Sequence, residues 1–255
     1  MKIKIQKKWS PISFYTKKGR IDISVPEPSD VSELIALIKS EDLDLRRLTP
    51  ISKDAYSSMG KEKLMFLWKK EKNDLAKLVN DKLSPKVARQ VIIQGEGIIK
   101  SGRKIPGLGT IISDPFNMAS VENSALIENL LMLQLPHILI AKHNKNIIGT
   151  IRVLEVEGSV EIVSLVVRKD YRKNGIARQL IRELIKRVDN RPLFLFQEPK
   201  SLLLRFYLGE FSKEQAYIPP FEELPKALKR DLLYMNAFWG PYVVIKIPGK
   251  LLTNP

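Results

Sequence analysis

The sequence predicts an α/β protein, a mixed sheet with helices on its faces, and three observations predict it. Ile21-Asp22-Ile23-Ser24-Val25 alternates strictly between apolar and polar residues, the period of a half-buried strand. From His137 to Val167 three β-rich runs follow one another with only turn chemistry between them. Elsewhere apolar residues recur every three or four positions, as in Val31, Leu34, Ile35 and Ile38, the mark of an amphipathic helix.

Taken in order, Arg20 to Val25 is the first strand. Pro26 and Pro28 punctuate the turn after it, and Asp30 with Glu33 gives a capping-box-like start to the first helix. The stretch from about residue 41 to 119 reads as an insertion. Within it Gly60 to Leu83 looks mostly helical, Ser84-Pro85 is an N-cap and first-turn pair for a helix over Pro85 to Gln94, and the glycine-rich segment Gly95 to Asn117 reads as loop. A helix from Ser120 to Leu133 precedes the strands His137 to Ala141, Ile147 to Val156 and Val160 to Val167. Asn144 to Asn146 and Glu157-Gly158 supply the turns. The next helix, Ala177 to Val188, has Leu180, Ile181, Leu184, Ile185 and Val188 on one face. There follow a strand at Leu193 to Phe196, a helix at Lys200 to Leu208, a short strand at Gln215 to Ile218, a helix at Glu222 to Tyr234 and a last strand at Tyr242 to Ile247.

Composition narrows the function. Of 255 residues, Lys+Arg total 43 against Asp+Glu 28, a net charge of +15. The excess gathers in residues 1–19 and Arg20, where Lys2, Lys4, Lys7, Lys8, Lys17, Lys18 and Arg20 stand without an acid, so 1–19 reads as a basic arm ahead of a domain at 20–255. Such charge favours polyanionic partners, and an acidic macromolecule is a candidate. No zinc-finger spacing, RRM-like aromatic signature or GXXG loop supports base readout. With no cysteine there is no disulfide, thiolate nucleophile or Cys-ligated zinc, and the two histidines build no histidine-rich metal site, so no metal is expected. His137 and His143 read as turn and edge residues, and Trp68 and Trp239 as packing residues. The longest charge-free stretches, Asn129 to Ala141 and Leu232 to Ile245, fall short of the roughly 18–20 residues that span a bilayer. No secretory signal is readable, so a cytoplasmic protein is expected.

The chemistry concentrates where the strand Val160 to Val167 runs through Arg168-Lys169-Asp170-Tyr171-Arg172-Lys173-Asn174-Gly175 into a helix. Unpaired N–H groups of a first helical turn point into such a loop, and the helix dipole adds partial positive charge. Gly175 permits close backbone approach to a phosphate, while Arg172, Lys173 and Arg178 add side-chain charge. A phosphorylated ligand fits. The Rossmann and Walker A spacings are both absent at this position.

Arg172-Lys173-Asn174-Gly175-Ile176-Ala177 resembles the acetyl-CoA-binding motif [QR]-x-x-G-x-[GA] of the GNAT superfamily of N-acetyltransferases, and Asp170-Tyr171-Arg172 resembles the family's lead-in to it. Downstream, Arg205-Phe206-Tyr207-Leu208-Gly209-Glu210-Phe211 is similar to the family's F-Y-x-x-x-G-F segment. The resemblance covers roughly Arg20 to Lys39 and Ser120 to Ile247. It implies a mostly antiparallel mixed sheet with helices on both faces and a largely helical insertion after the first helix. It also implies that the pantetheine arm pairs with backbone of Leu165, Val166 and Val167, and that the pyrophosphate sits on Arg172, Lys173, Asn174, Gly175, Ile176, Ala177 and Arg178. Glu161 then stands where histone-acetylating members carry a catalytic glutamate, and Tyr207 where many members carry a tyrosine near the thioester sulfur. The competing reading of Glu161 is a solvent-facing strand residue, and of Tyr207 a core aromatic.

The expected function is therefore transfer of an acetyl group from acetyl-CoA to a primary amine in a ternary complex, Glu161 acting as base and Tyr207 as acid. Two other readings stay open at this point, a catalytically silent acyl-CoA-binding module and a nucleic-acid-binding protein. The acceptor amine and the oligomeric state are not legible.

Overall fold

The computed structural model describes residues 10–41, 85–102, 131–132, 135–188, 191–199, 201–211, 216–238 and 241–249. Its helices are α1 (Val31–Glu41), α2 (Pro85–Gly102), α3 (Ile176–Arg187), α4 (Leu202–Glu210) and α5 (Lys226–Phe238). Its strands, β1 (Ile12–Thr16), β2 (Gly19–Ser24), β3 (Ile138–His143), β4 (Asn146–Val156), β5 (Ser159–Val167), β6 (Leu193–Gln197) and β7 (Val243–Ile247), form a seven-stranded sheet whose order follows the chain. This is the α/β architecture the sequence predicts. The expected helix over Gly60 to Leu83, most of that over Ser120 to Leu133, and Trp68 and Trp239 lie outside the described residues. The chain divides into two compact units. One holds β1, β2, β3, α1, α3 and most of β4 and β5. The other holds α2, α4, α5, β6, β7 and the turn between β4 and β5.

In the first unit β1 pairs antiparallel with β2, Ile12 opposite Ile23, so part of the segment read as a basic arm is a strand. Its alternation, Ile12, Phe14 and Thr16 inward with Ser13 and Tyr15 exposed, sits among lysines that draw the eye to charge instead. The pairings β2–β3 and β3–β4 are also antiparallel, with a register shift at Ala141/Lys142. Helix α1 buries Val31, Leu34, Ile35, Leu37 and Ile38 in a cluster with Ile138, Ile140, Ile147 and Val166. Its predicted capping pair is reassigned. Asp30 ends a 3-10 turn over Pro28–Asp30 and caps backward, Oδ2 accepting from Glu27 N at 2.9 Å. Glu33 instead accepts from Ile147 N at 2.8 Å, satisfying a strand donor beside the register shift.

In the second unit β6 and β7 are antiparallel. Helix α2 begins at Pro85 as expected but runs through Gly95 and Gly97 to Gly102 instead of stopping at Gln94. Gly97 is there for packing: a Cβ on it would collide with Cβ of Phe221, so only glycine lets the two elements close. The strand expected at Gln215 to Ile218 reduces to one bridge, Tyr217 to Lys246, because Pro219 and Pro220 bring no N–H to extend a ladder. The helix expected from Glu222 starts at Lys226. Pro225 holds Leu224 extended (φ −72°, ψ 146°), and the residues before it form only a 3-10 turn, Phe221–Glu223. Glu157 Oε2 accepts from Lys226 N at 2.8 Å, so the β4–β5 turn caps α5.

Asp231 lies on the buried face of α5 at 6% exposure, its Oδ1 3.7 Å from Arg230 Nε. Burial pushes its carboxyl up to about 6, with Arg230 opposing. The folded state thus keeps a proton that the unfolded chain releases, and the stability from Asp231 is full below about pH 4 and lost as pH rises through about 6. Asp231→Asn is expected to raise stability at pH 7.5 by about 2 kcal/mol and to flatten the dependence between pH 4 and 6. Urea midpoints at pH 5 and 7.5 read this, and equal slopes in parent and variant would remove Asp231 as the cause.

Candidate active site

Strand β5 brings the predicted residues to the loop. Arg168 N donates to Ile148 O at 2.8 Å, so the backbone groups of Arg168 face β4. By the alternation of a strand, those of Val166 face β4 as well, and those of Leu165 and Val167 face away from it. Two of the three residues expected to pair with a pantetheine arm thus present their polar groups on the edge that β4 does not use. Val166 is buried among the α1 cluster. Glu161 shares the parity of Val163 and Leu165, and at 5% exposure it is not the solvent-facing residue of the competing reading.

After β5 the chain makes a 3-10 turn, Lys169–Tyr171, then a loop with two left-handed residues, Lys173 (φ 63°) and Gly175 (φ 77°). Asn174 shapes this loop: Nδ2 donates to Tyr171 O and Arg172 O, each at 3.1 Å, gathering carbonyls that would otherwise repel an anion. Arg172 Nε donates to Val167 O at 2.9 Å, which ties the guanidinium to the end of β5. Gly175 is the N-cap of α3 and makes no side-chain cap, so the first-turn N–H groups of Ile176, Ala177 and Arg178 receive no bond from a capping side chain. A Cβ on Gly175 would meet nothing within 4 Å. Open space, uncapped amides and flanking cations are what a phosphate requires. The residues present therefore fit the diphosphate of a coenzyme A. Gly149, on β4, lets the start of α3 approach, since its Cβ would lie 3.2 Å from Ile176 Cγ2 and 3.3 Å from Val166 O.

Sequence reasoning missed what fixes Tyr171. Its hydroxyl lies 2.7 Å from His143 Nδ1, and the Arg168 guanidinium carbon is 4.6 Å from its ring centroid. Arg168 in turn pairs with Asp170 at 2.8 Å and holds that carboxyl below the usual carboxylate range. His143 is at the end of β3, as expected, but it serves as the anchor of the loop's tyrosine.

In the second unit Tyr207 sits on α4, whose N-cap Ser201 Oγ accepts from Leu203 N at 3.1 Å. Tyr207 is 5% exposed beside Phe206, ring centroids 5.2 Å apart. Burial pushes its phenol up, well above the ordinary value. Gly209 lies inside α4 and not in a turn, which departs from the family segment it was matched to. Among the described residues no three His, Cys, Asp or Glu group to hold a metal, and no helix is long and apolar enough to cross a membrane.

Comparison with known proteins bears on the same region. Residues 108–207 match the Acetyltransferase (GNAT) family. No curated protein matches the chain. Among solved structures it is similar to the PaiA N-acetyltransferase of Thermoplasma acidophilum in complex with coenzyme A, at 10% identity over 89% of this chain and 98% of that one, TM-score 0.43. It is also similar to the diaminobutyrate acetyltransferase EctA of Paenibacillus lautus in complex with L-2,4-diaminobutyric acid and coenzyme A, at 14% identity over 92% and 98%, TM-score 0.42.

Proposed function

We propose that the chain, whose residues 108–207 match the Acetyltransferase (GNAT) family, moves the acetyl group of acetyl-CoA to a primary amine by direct attack in a ternary complex. The observation that carries this reading is the uncapped start of α3 behind Gly175, a backbone cradle with open space in front of it. The diphosphate binds the amides from Arg172 to Arg178, and the pantetheine arm pairs with the outward backbone groups of Leu165 and with the N–H of Val167, whose carbonyl already accepts from Arg172 Nε.

The amine nitrogen attacks the thioester carbonyl carbon, the carbon–sulfur bond breaks, and the proton lost by nitrogen goes to Glu161 directly or through water. Tyr207 gives its proton to the departing thiolate, and solvent restores it as Glu161 sheds the proton taken from nitrogen. A phenol keeps its proton throughout the neutral range, so Tyr207 holds the proton this step uses, and its burial opposes formation of the phenolate. The products are the N-acetylated amine and free coenzyme A.

Thiol release from acetyl-CoA with a panel of alkyl amines, diamines and lysyl peptides tests this. Glu161→Gln is expected to lower kcat by about 10²–10³ with acetyl-CoA affinity within about twofold, as loss of a general base does. Tyr207→Phe should lower it by about tenfold. A parent that binds acetyl-CoA yet acetylates no amine of the panel would make the protein a silent binding module instead.

A further inference from the structure

Three turns come together at one end of the first unit. In an antiparallel succession the start of β2, the end of β3, the start of β4 and the end of β5 share one end of the sheet. The β1–β2 turn at Lys17-Lys18, the β3–β4 turn at Asn144-Lys145 and the loop after β5 therefore lie together there. Tyr171 joins them. His143 holds its hydroxyl, Arg168 covers its ring, and Lys18 Nζ lies 5.8 Å from the ring centroid.

The hairpin turn is held by its own contacts. Lys18 N donates to Thr16 Oγ1 at 3.0 Å, and Thr16 Oγ1 donates to Gly19 O at 3.2 Å. Gly19 is left-handed (φ 111°), and a Cβ on it would lie 3.1 Å from His143 Nε2, so the turn rests on the same histidine that holds Tyr171. Lys18 thus belongs to a braced turn beside the anion loop. Its ammonium reaches that loop, lying 5.8 Å from the ring centroid of Tyr171, the residue that precedes Arg172. Lys17, Lys18, Lys145, Arg168, Lys169, Arg172 and Lys173 gather here, and Asp170 is the acid among the turn residues. Asp170 pairs with Arg168, and Glu33 also acts on that guanidinium, so the subsite depends on the exposed lysines 17 and 18 for its charge.

We infer that Lys17 and Lys18, with Arg168 beside them, form a second phosphate subsite next to the diphosphate loop, and that it takes a phosphomonoester of the same ligand, the 3′-phosphate of coenzyme A. This rests on the reading of acetyl-CoA as co-substrate. The division of labour follows from the chemistry: the diphosphate approaches backbone amides that glycine exposes, whereas a phosphomonoester, close to dianionic at neutral pH, is matched by compact lysine charges. Residues 17 and 18 are exposed, so replacing them leaves the core untouched.

The test is calorimetric titration of the full chain with coenzyme A and with dephospho-coenzyme A, for the parent and for Lys17→Ser with Lys18→Ser. The parent should prefer coenzyme A by about tenfold, about 1.4 kcal/mol. The double variant should lose that preference, its affinity for dephospho-coenzyme A staying within about twofold. A preference that survives in the variant, or equal losses for both ligands, would overturn the subsite. So would a parent indifferent to the 3′-phosphate but stripped of coenzyme A by a short single-stranded RNA in a Lys18-dependent manner, which would make nucleic-acid phosphate the occupant. A parent that binds neither ligand defeats the underlying co-substrate reading, a result distinct from all of these.

Discussion

Gly175→Glu is expected to abolish saturable acetyl-CoA binding while leaving the fold in place. Gly175 is left-handed (φ 77°, ψ 1°), and any residue with a Cβ pays about 1 kcal/mol there. That cost is local, because a Cβ at this position meets nothing within 4 Å and no packing is disturbed. The loop already bears one such residue in Lys173 (φ 63°). The open space is where the diphosphate approaches the amides of Ile176, Ala177 and Arg178, so the glutamate adds bulk and a like charge in the ligand's place. A loss beyond about 100-fold, or about 2.7 kcal/mol, should follow. Gly175→Ala separates the causes. It pays the same backbone cost without the charge, and it should melt like the glutamate variant but retain measurable binding. If the glutamate variant titrates like the parent, the anion cradle is not where the ligand sits.

That loop was legible in the sequence because its signal is local: a strand period, a glycine and a helical period in succession place uncapped amides by geometry alone. The strands β2 to β5 and helix α3 were legible for the same reason, each carrying its period within its own residues. What escaped was set by partners distant in sequence. β1 alternates, but its inward residues gain meaning only opposite β2, and the lysines around it suggest a solvated arm. The glycines of α2 read as loop because a sequence does not show that Phe221 requires Gly97 to be small. The start of α5 does carry a local signal, since Pro225 disfavours helix at the residue before it. In the site, the motif named Arg172 and Asn174 as ligand contacts. The structure gives Arg172 Nε to Val167 O and Asn174 Nδ2 to two loop carbonyls, bonds that shape the cradle before any ligand arrives. His143 holding Tyr171, across 28 positions, had no sequence signal at all.

Gln94→Leu should be the most destabilising single change among those considered. Strand β7 presents the backbone of Val243, Ile245 and Ile247 to one side and that of Val244 and Lys246 to the other, by the alternation of a ladder. Lys246 exchanges bonds with Tyr217, N to O at 2.8 Å and O from N at 3.0 Å. Among the described residues Val244 meets no strand, and Gln94 serves in its place: Val244 N donates to Gln94 Oε1 at 2.7 Å, and Gln94 Nε2 donates to Val244 O at 3.1 Å and to Pro219 O at 2.7 Å. One buried amide thus closes the edge of β7 and fastens α2 to it. Leucine fills most of the volume but leaves Val244 N–H and the carbonyls of Val244 and Pro219 without this partner in a site sealed from water. At about 1–3 kcal/mol for each orphaned group, with carbonyls at the low end, the loss should be about 3–4 kcal/mol. For a chain of this size that lowers the melting temperature by about 10 °C. Hydrogen exchange supplies the specific readout. The Val244 amide should be protected in the parent and exchange far faster in Gln94→Leu, while Ile245 and Ile247, which face β6, keep more of their protection. A uniform loss across β7 would mean that the variant unfolds the strand as a whole, and an unchanged melting temperature would mean that Gln94 does not hold the edge.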